Sequence, residues 1–403
     1  MKLHWQILIA LVAGAFAGVV VPGISTCVSW AGKLFMNALS MLVVPIIFFS
    51  IVTSVAGISE SGLKRIGLKV IACYLLTMLI AALTGLLLVN MIKPGTAVGI
   101  ESAAIIPDRI INGTVSLKDT IVGYMPENIL HAFTQNNTIP VILIAFSTGL
   151  LLPKISPEGK KVLDAFFRGG MELTMKMTEI IIKCSPAGVF AIVAGQFAGA
   201  PDFVALIQVI LLYFLTVTAG LFIQFFVWLP LLMRYGFRLN PCKHLKNMSV
   251  PLLTAFSTAS SAATIPLTMR AVEHKDGVSR RITDFTIPLG ATINMNGTAL
   301  LECVAVIFIA QAYSIELSVW QQITVVFVSL ACAIGSAGIP MSALVMMAII
   351  LNVAGLPLEG IGLVIGVDRL LDMMRTALNV YGDTCVAAIV AKSEGESLLI
   401  DTI

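Results

Sequence analysis

Apolar residues run through this chain in long blocks, and the polar residues collect between them. A run of about 20 apolar residues is long enough to cross a bilayer as a helix. By that measure the spans are 5–21, 32–56, 67–92, 128–152, 163–197, 204–233, 284–313 and 360–391. The first apolar stretch, Ile7 to Val21 behind Lys2, has the look of a signal-peptide core, yet no Ala-x-Ala cleavage site follows and further spans come soon after. It is expected to be a retained first span.

Basic residues orient these spans, because cytoplasmic connections carry the excess of Lys and Arg. Lys2 precedes the first span, and 22–31 has no basic residue. Lys64, Arg65 and Lys69 follow the second span, 93–127 is mixed, and Lys154, Lys160 and Lys161 follow the fourth. The connection 198–203 has none, and Arg234, Arg238, Lys243 and Lys246 follow the sixth. The alternation puts the N-terminus inside. Trp5, Trp30, Trp228 and Trp320 sit near span ends, as interfacial anchors do.

Two apolar segments break the alternation. Residues 247–269 have basic flanks on both sides, and 321–352 have flanks without Lys or Arg on both sides. A segment whose flanks lie on one side must enter and return. Small and breaker residues occupy both middles, STASSAATIP at 257–266 and GSAGIPMS at 335–342. The backbone freed at such turns cannot be satisfied by lipid, so the tips must be buried in protein or line a wet cavity. One hairpin opens from the inside and the other from the outside, the inverted pairing of secondary transporters with a midplane site.

Composition agrees with this pattern. Of the 403 residues 58% are hydrophobic and 12% charged, against about a quarter charged in soluble domains. An all-α polytopic membrane protein follows, with no separate soluble domain. A net charge of +3 does not point to nucleic acid. Four histidines and the scattered Cys27, Cys73, Cys184, Cys242, Cys303, Cys332 and Cys385 offer no metal spacing and no CxxC pair. The cysteines are expected to be small buried hydrophobes.

The last span carries the chemistry. In DRLLDMMRTALNVYGDT, residues 368–384, Asp368, Asp372, Arg375, Asn379 and Asp383 step by four, three, four and four. That spacing places them on one helix face about four turns long, opposite Leu371, Met374, Leu378 and Tyr381. Charges within a span are costly and mark a substrate or ion path. The plainer reading is a self-neutralising ladder in which Asp372 pairs with Arg375. Span seven adds ATINMNGTALLEC at 291–303, where Asn294, Asn296 and Gly297 predict a local unwinding that bares carbonyl oxygens. Asp383 and Asn379 offer the charged and neutral oxygens that a hard cation such as Na⁺ prefers. Glu302, alone in an apolar run, is a candidate proton carrier, since a lone buried carboxyl favours its neutral form.

Together these residues resemble the glutamate transporter family, the dicarboxylate/amino acid:cation symporters. NMNGT at 294–298 resembles that family's Asn-Met-Asp-Gly-Thr motif. The serine-containing hairpin at 257–266, GSAGIP at 335–340, DMMRTALNVYGD, PENILHAF at 126–133 and IPVILIAFSTGLL at 139–151 match in order and spacing. The resemblance covers nearly the whole chain. It implies eight transmembrane helices plus two inverted re-entrant hairpins, the elevator fold, a homotrimer in the lipid bilayer, and no cofactor beyond coupling ions. Scaffold helices would occupy 5–56 and 128–197. The moving transport part would occupy 67–92 and 204–391, with its hairpins at 247–269 and 321–352.

The resemblance also implies roles. Asp372 would hold a substrate ammonium and Arg375 the side-chain carboxylate. Asn379, Thr376, Ser260 and Ser261 would hold the main-chain carboxylate, with Thr298 alongside. The second hairpin, around Ala337, Gly338 and Ile339, would close as a gate. One cation site would comprise Gly290, Asn294, Asn379 and Asp383. A second would comprise Thr292, Met295 and the 334–336 backbone, including Ser336. The physics agrees: an arginine fork matches a carboxylate bidentately, and an aspartate matches an amine, so glutamate or aspartate satisfies the stripe.

Three departures stand out. The family's second site arginine, in the first hairpin tip or on the last helix, is Ala259 and Met373 here, so its gate coupling does not carry over. The motif aspartate, a third-sodium ligand, is Asn296. Tyr74 and Thr77 match its partners, but Met78 replaces a serine. Glu302 stands where proton-cotransporting members have glutamate and sodium-only archaeal members have glutamine. These changes point to fewer sodium ions and a coupled proton.

The expected function is therefore acidic amino-acid symport coupled to H⁺ and/or Na⁺. The short loops and compact length favour a prokaryotic inner membrane. A C4-dicarboxylate symporter on the same fold is the alternative, which would leave Asp372 without an amine. An intramembrane aspartyl protease needs a Tyr-Asp pair on an earlier span, and the chain has none. A passive channel does not need two gated hairpin tips.

Overall fold

The structure, a computed structural model, describes residues 3–21, 23–60, 64–96, 125, 128–134, 138–198, 203–335 and 342–401. Backbone polar groups in lipid must bond within their own segment, and the apolar runs accordingly form helices. α1 is Leu3–Val20, α2 Ile24–Glu60 and α3 Lys64–Ile92. The run 128–152 forms two helices, α4 at Ile129–Thr134 and α5 at Thr138–Leu151. PENILHAF lies partly outside the described residues.

The run 163–197, read above as one span, is bent: α6 at Pro157–Lys183 and α7 at Ser185–Ala198 meet at 58°. Pro186 lacks an N–H and restricts the residue before it, so the helix cannot run straight through. α8 is Phe203–Ile223, and its helix continues to Gly236 through π-turns at Gln224–Trp228 and Leu232–Gly236. Pro230 lies between those turns; its ring would clash with a carbonyl one turn back, and the ladder widens around it.

α9, Pro241–Asn247, begins with Asn240 accepting the Lys243 amide on its side chain at 3.1 Å, a favourable N-cap. The first hairpin follows as α10, Ser249–Thr258, and α11, Ser261–Ala271. Its reversal falls within the predicted STASSAATIP stretch, at Ala259, which takes a left-handed φ of 49°. Ser260 then caps α11, its hydroxyl accepting from the Ala263 amide at 3.3 Å.

Span seven is α12, Arg280–Ile293, and α13, Asn296–Ala312, broken at Asn294 and Met295 where the unwinding was expected. α14, Val319–Gly335, and α15, Ser342–Ala354, are the arms of the second hairpin. Its tip, with Ser336, Ala337, Gly338 and Ile339, lies outside the described residues. α16, Ile361–Ser393, is 33 residues long, about 50 Å at helical rise.

The helices pack in two sets. α2 lies against α5, α6 and α7, and α7 against α1. α13 lies against α3, α8, α14 and α16, while α10, α11 and α12 close around α16. The sets meet where α2 touches α14 and α15, and α7 touches α16. α13 is buried along its length except at Gln311, so the broken span forms the axis of its set. Gly85 and Gly220 admit Leu300 closely there. Three helical runs among the described residues are long and apolar enough to cross a membrane: Arg65–Ile92, Ile207–Gly236 and Arg280–Ala312. Large apolar side chains such as Phe16, Leu68, Met91 and Phe327 are exposed, which a lipid-facing surface accounts for.

Candidate functional site

The polar stripe of α16 is buried: Asp368, Asp372, Arg375, Asn379 and Asp383 are each at most 3% exposed. Nε and Nη2 of Arg375 both donate to Oδ1 of Asp372, at 2.9 and 2.7 Å. The self-neutralising pair weighed in the sequence is thus made. The ladder is not fully consumed by it, however. Among the described residues Nη1 of Arg375 and Oδ2 of Asp368 have no hydrogen-bond partner. A buried donor of a charged fork that remains unused is rare and costly, and it suits an incoming carboxylate.

Arg369 joins the pair from one turn earlier, its Nη1 lying 3.3 Å from Oδ2 of Asp372. Its side chain is 28% exposed against 3% for Arg375. Arg369 is not one of the five stripe residues; its i,i+3 spacing from Asp372 was the available signal. A second guanidinium therefore reaches Asp372 although Ala259 and Met373 supply none. Thr376 donates its hydroxyl to the Asp372 carbonyl at 2.7 Å.

Asn379 bridges to the broken span. Its Oδ1 accepts the Gly297 amide at 2.7 Å, one of the donors freed where α13 starts. Its Nδ2 lies 3.2 Å from Sδ of Met295 and 3.5 Å from the Thr298 hydroxyl. Gly297 is required here, because a Cβ would meet the backbone of Arg375 at 2.8 Å. The break and the stripe are thus in direct contact.

One turn farther, the oxygens gather around Asp383. Nδ2 of Asn294 donates to Oδ1 of Asp383 at 2.9 Å. The Thr77 hydroxyl lies 3.5 Å from Oδ1 of Asn294. Tyr74 donates its hydroxyl to the Thr286 carbonyl at 2.8 Å. A Cβ at Gly290 would collide with the Asp383 carboxylate and the Tyr74 hydroxyl, so that position admits only glycine. One carboxylate among amide, hydroxyl and carbonyl oxygens fits a hard monovalent cation better than a transition metal. Among the described residues, no three His, Cys, Asp or Glu side chains cluster as metal ligands.

Not every predicted site residue joins this cluster. Thr292 is exposed, and its hydroxyl donates to its own helix at Leu289. Ser260 is half-buried and Ser261 buried at the first hairpin turn, whose arms pack on α16. Ser336, Ala337 and Gly338 belong to the tip outside the described residues. Asn296 is buried at the start of α13, and neither atom of its amide has a partner among the described residues. The same holds for both carboxyl oxygens of Glu302, on the same helix.

A profile of the sodium:dicarboxylate symporter family matches residues 3–393. The chain belongs to that family. Its fold is accordingly that of the glutamate transporters, and the family is one of membrane transporters. Excitatory amino acid transporter 3 of Mus musculus is 33% identical over 456 residues, covering 98% of this chain and 86% of the mouse protein. A proton/sodium-glutamate symport protein of Geobacillus stearothermophilus is 32% identical over 406 residues, covering 98% of this chain and 95% of its own. Its counterpart in Bacillus caldotenax is 33% identical with the same coverage. In this chain the Asp372–Arg375 pair and the Asp383 cluster stand at the contact between the broken span and α16.

Two buried features escaped the sequence reading. Gln224, within a π-turn of α8, donates to the Thr77 carbonyl at 3.0 Å, behind the residue that faces Asn294. His244 and Asp276 meet at 2.6 Å at the base of the first hairpin. The signal available for both was a polar residue beside an apolar run, which does not say where the side chain points.

Proposed function

We propose that this family member is a secondary-active symporter of acidic amino acids, L-glutamate or L-aspartate, driven by H⁺ and/or Na⁺. The observation that carries the reading is the buried Asp372–Arg375 pair with a guanidinium nitrogen that has no partner among the described residues, two helical turns from the Asp383 oxygens. An amine answers Asp372, a carboxylate answers the Arg375 fork, and a cation answers Asp383. The names of the relatives, which cite glutamate, sodium and protons, support the same substrate class and coupling ions.

In this reading Asp372, Arg375, Thr376, Asn379, Thr298, Ser260 and Ser261 contact substrate. Gly290, Asn294, Met295, Asn379 and Asp383 serve the cation, and Glu302 is the proton carrier. Two packed sets of helices that meet along α2 and α7 support a scaffold and a transport part that slides as an elevator. The protein would work as a homotrimer in the cell (inner) membrane with its N-terminus cytoplasmic. A C4-dicarboxylate is the second reading. It draws on Arg369 and Arg375 both bonding Asp372, which lessens that residue's need for an amine.

Uptake of labelled glutamate, aspartate and succinate into proteoliposomes, with sodium and proton gradients imposed separately, tests both readings. Concentrative amino-acid uptake is expected. Succinate uptake without glutamate or aspartate uptake would select the second reading, and no uptake of any of them would refute both.

A further inference from the structure

The transport chemistry leaves one buried polar cluster of the described residues unused. His244, on α9, is fully buried. Its Nδ1 lies 2.6 Å from Oδ2 of Asp276, which ends the π-turn Val272–Asp276 behind α11 and is itself fully buried. Its Nε2 lies 3.0 Å from Oγ1 of Thr384, the residue after Asp383 on α16. The His244 ring also sits 5.6 Å from that of Tyr381, which stacks on Phe225 at 4.3 Å.

Hydrogen counting settles the donors. The Thr384 hydroxyl gives its one hydrogen to the Tyr381 carbonyl at 2.8 Å, so toward Nε2 its oxygen accepts. Nε2 therefore carries hydrogen. The other oxygen of Asp276 already accepts from Nδ2 of Asn247 at 2.8 Å, as a carboxylate does. The short contact at Nδ1 then holds a second hydrogen, in the range of charge-assisted bonds. One hydrogen is held in the short contact between Nδ1 and Asp276, and Nε2 carries another toward Thr384.

The same dyad gathers three parts of the molecule. Asp276 closes the return arm of the first hairpin, and the chain turns there through Gly277 at φ 80°. The Asp276 carbonyl accepts the Leu399 amide at 2.9 Å, and the Asn240 amide donates to the Ile400 carbonyl at 2.8 Å. The hairpin base, the C-terminal tail and α16 thus meet one residue from the Asp383 carboxylate.

We propose that His244 is a positioning residue for cation binding: held by Asp276, it pins Thr384 and so sets the turn of α16 that aims Asp383 at the cation. The proposal rests on the reading of Asp383 as a cation ligand. Partners outside a ligand shell orient the ligands, and their loss typically costs about 10–100-fold in affinity.

The test is labelled glutamate uptake by the full-length protein in proteoliposomes, across a concentration series of the driving cation, sodium or protons in sodium-free buffer. His244→Phe keeps a ring against Tyr381, and Thr384→Val keeps the shape without the acceptor. Each is expected to raise the half-saturating cation concentration about tenfold, the double variant no further, with the maximal rate retained. A lower maximal rate with unchanged half-saturation in both would mean a purely structural pair and overturns the proposal. Asp383→Asn separates the two layers. If it leaves cation dependence unchanged, the cation-site reading fails; if it alone changes that dependence, only the positioning role fails. Should the His244 variants not fold, ¹⁵N-histidine NMR on a His4→Gln, His131→Gln, His274→Gln protein, in which His244 is the remaining histidine, decides the chemistry. A hydrogen on Nε2 is expected, and a bare Nε2 overturns the assignment.

Discussion

Replacing Arg375 by cysteine removes the fork that the proposed substrate carboxylate needs. The side chains of Arg375 and Asp372 are 3% and 2% exposed, and two hydrogen bonds join them. Truncating one partner of a buried, hydrogen-bonded charge pair costs about 2–5 kcal/mol, a factor of about 30 to several thousand. Two effects share that origin. The uncompensated Asp372 carboxylate destabilises the folded protein, although Arg369 stands 3.3 Å away and can take up part of the charge. The acidic substrate loses its bidentate contact, so its half-saturation concentration should rise by at least about 30-fold. A neutral amino acid has no side-chain carboxylate to leave facing the vacated space, and its relative uptake should rise. Competition of glutamate, aspartate and serine for uptake in proteoliposomes reads the second effect, and thermal unfolding in detergent reads the first. Unchanged glutamate half-saturation in a folded Arg375→Cys protein would refute the assignment of Arg375 to the substrate.

Other perturbations act at neighbouring points. Arg369→Gln removes a half-exposed guanidinium that competes with a substrate amine for Asp372; glutamate half-saturation should fall several-fold, and a rise would make Arg369 a substrate ligand instead. Gly290→Ala drives a methyl group into the Asp383 carboxylate and the Tyr74 hydroxyl, so cation-driven uptake should be lost, and wild-type cation dependence in this variant would disprove the local geometry. Glu302→Gln should abolish uptake driven by a proton gradient in sodium-free buffer while preserving glutamate exchange; retained proton-driven accumulation would make Glu302 structural. Glu394, at the end of α16, is held below the usual carboxylate range chiefly by its bond from Lys69. A depressed carboxylate stabilises the fold above its ordinary value of about 4.3 and loses that contribution as pH falls through the folded value. The melting difference between wild type and Glu394→Gln should therefore be present at neutral pH and vanish on acidification; a pH-independent difference would rule this out.

Much of the architecture was legible from residue order because lipid leaves the backbone few choices. Apolar runs had to be helices, the like flanks on either side of 247–269 and of 321–352 pointed to returning segments, and Asn294 beside Gly297 pointed to the break in span seven. The i,i+3 and i,i+4 steps from Asp368 to Asp383 likewise placed five polar groups on one face before any fold was known. The bend between α6 and α7 was missed because the apolar run continues across Pro186, and hydropathy does not register a missing amide.

Partner choice required the tertiary structure. The stripe spacing allowed Asp372 to meet Arg375 or to await a ligand; packing α16 against α10, α12 and α13 showed that the pair is made and that, among the described residues, one guanidinium nitrogen has no partner. Asn379 reaching the Gly297 amide, 82 residues away, and His244 reaching Thr384, 140 residues away, depend on which helices touch. Periodicity along one helix is a local property, while a hydrogen bond between helices depends on their relative rotation and depth. The sequence by itself determined the helices and the face that carries charge; only the packed fold decided which groups those charges meet.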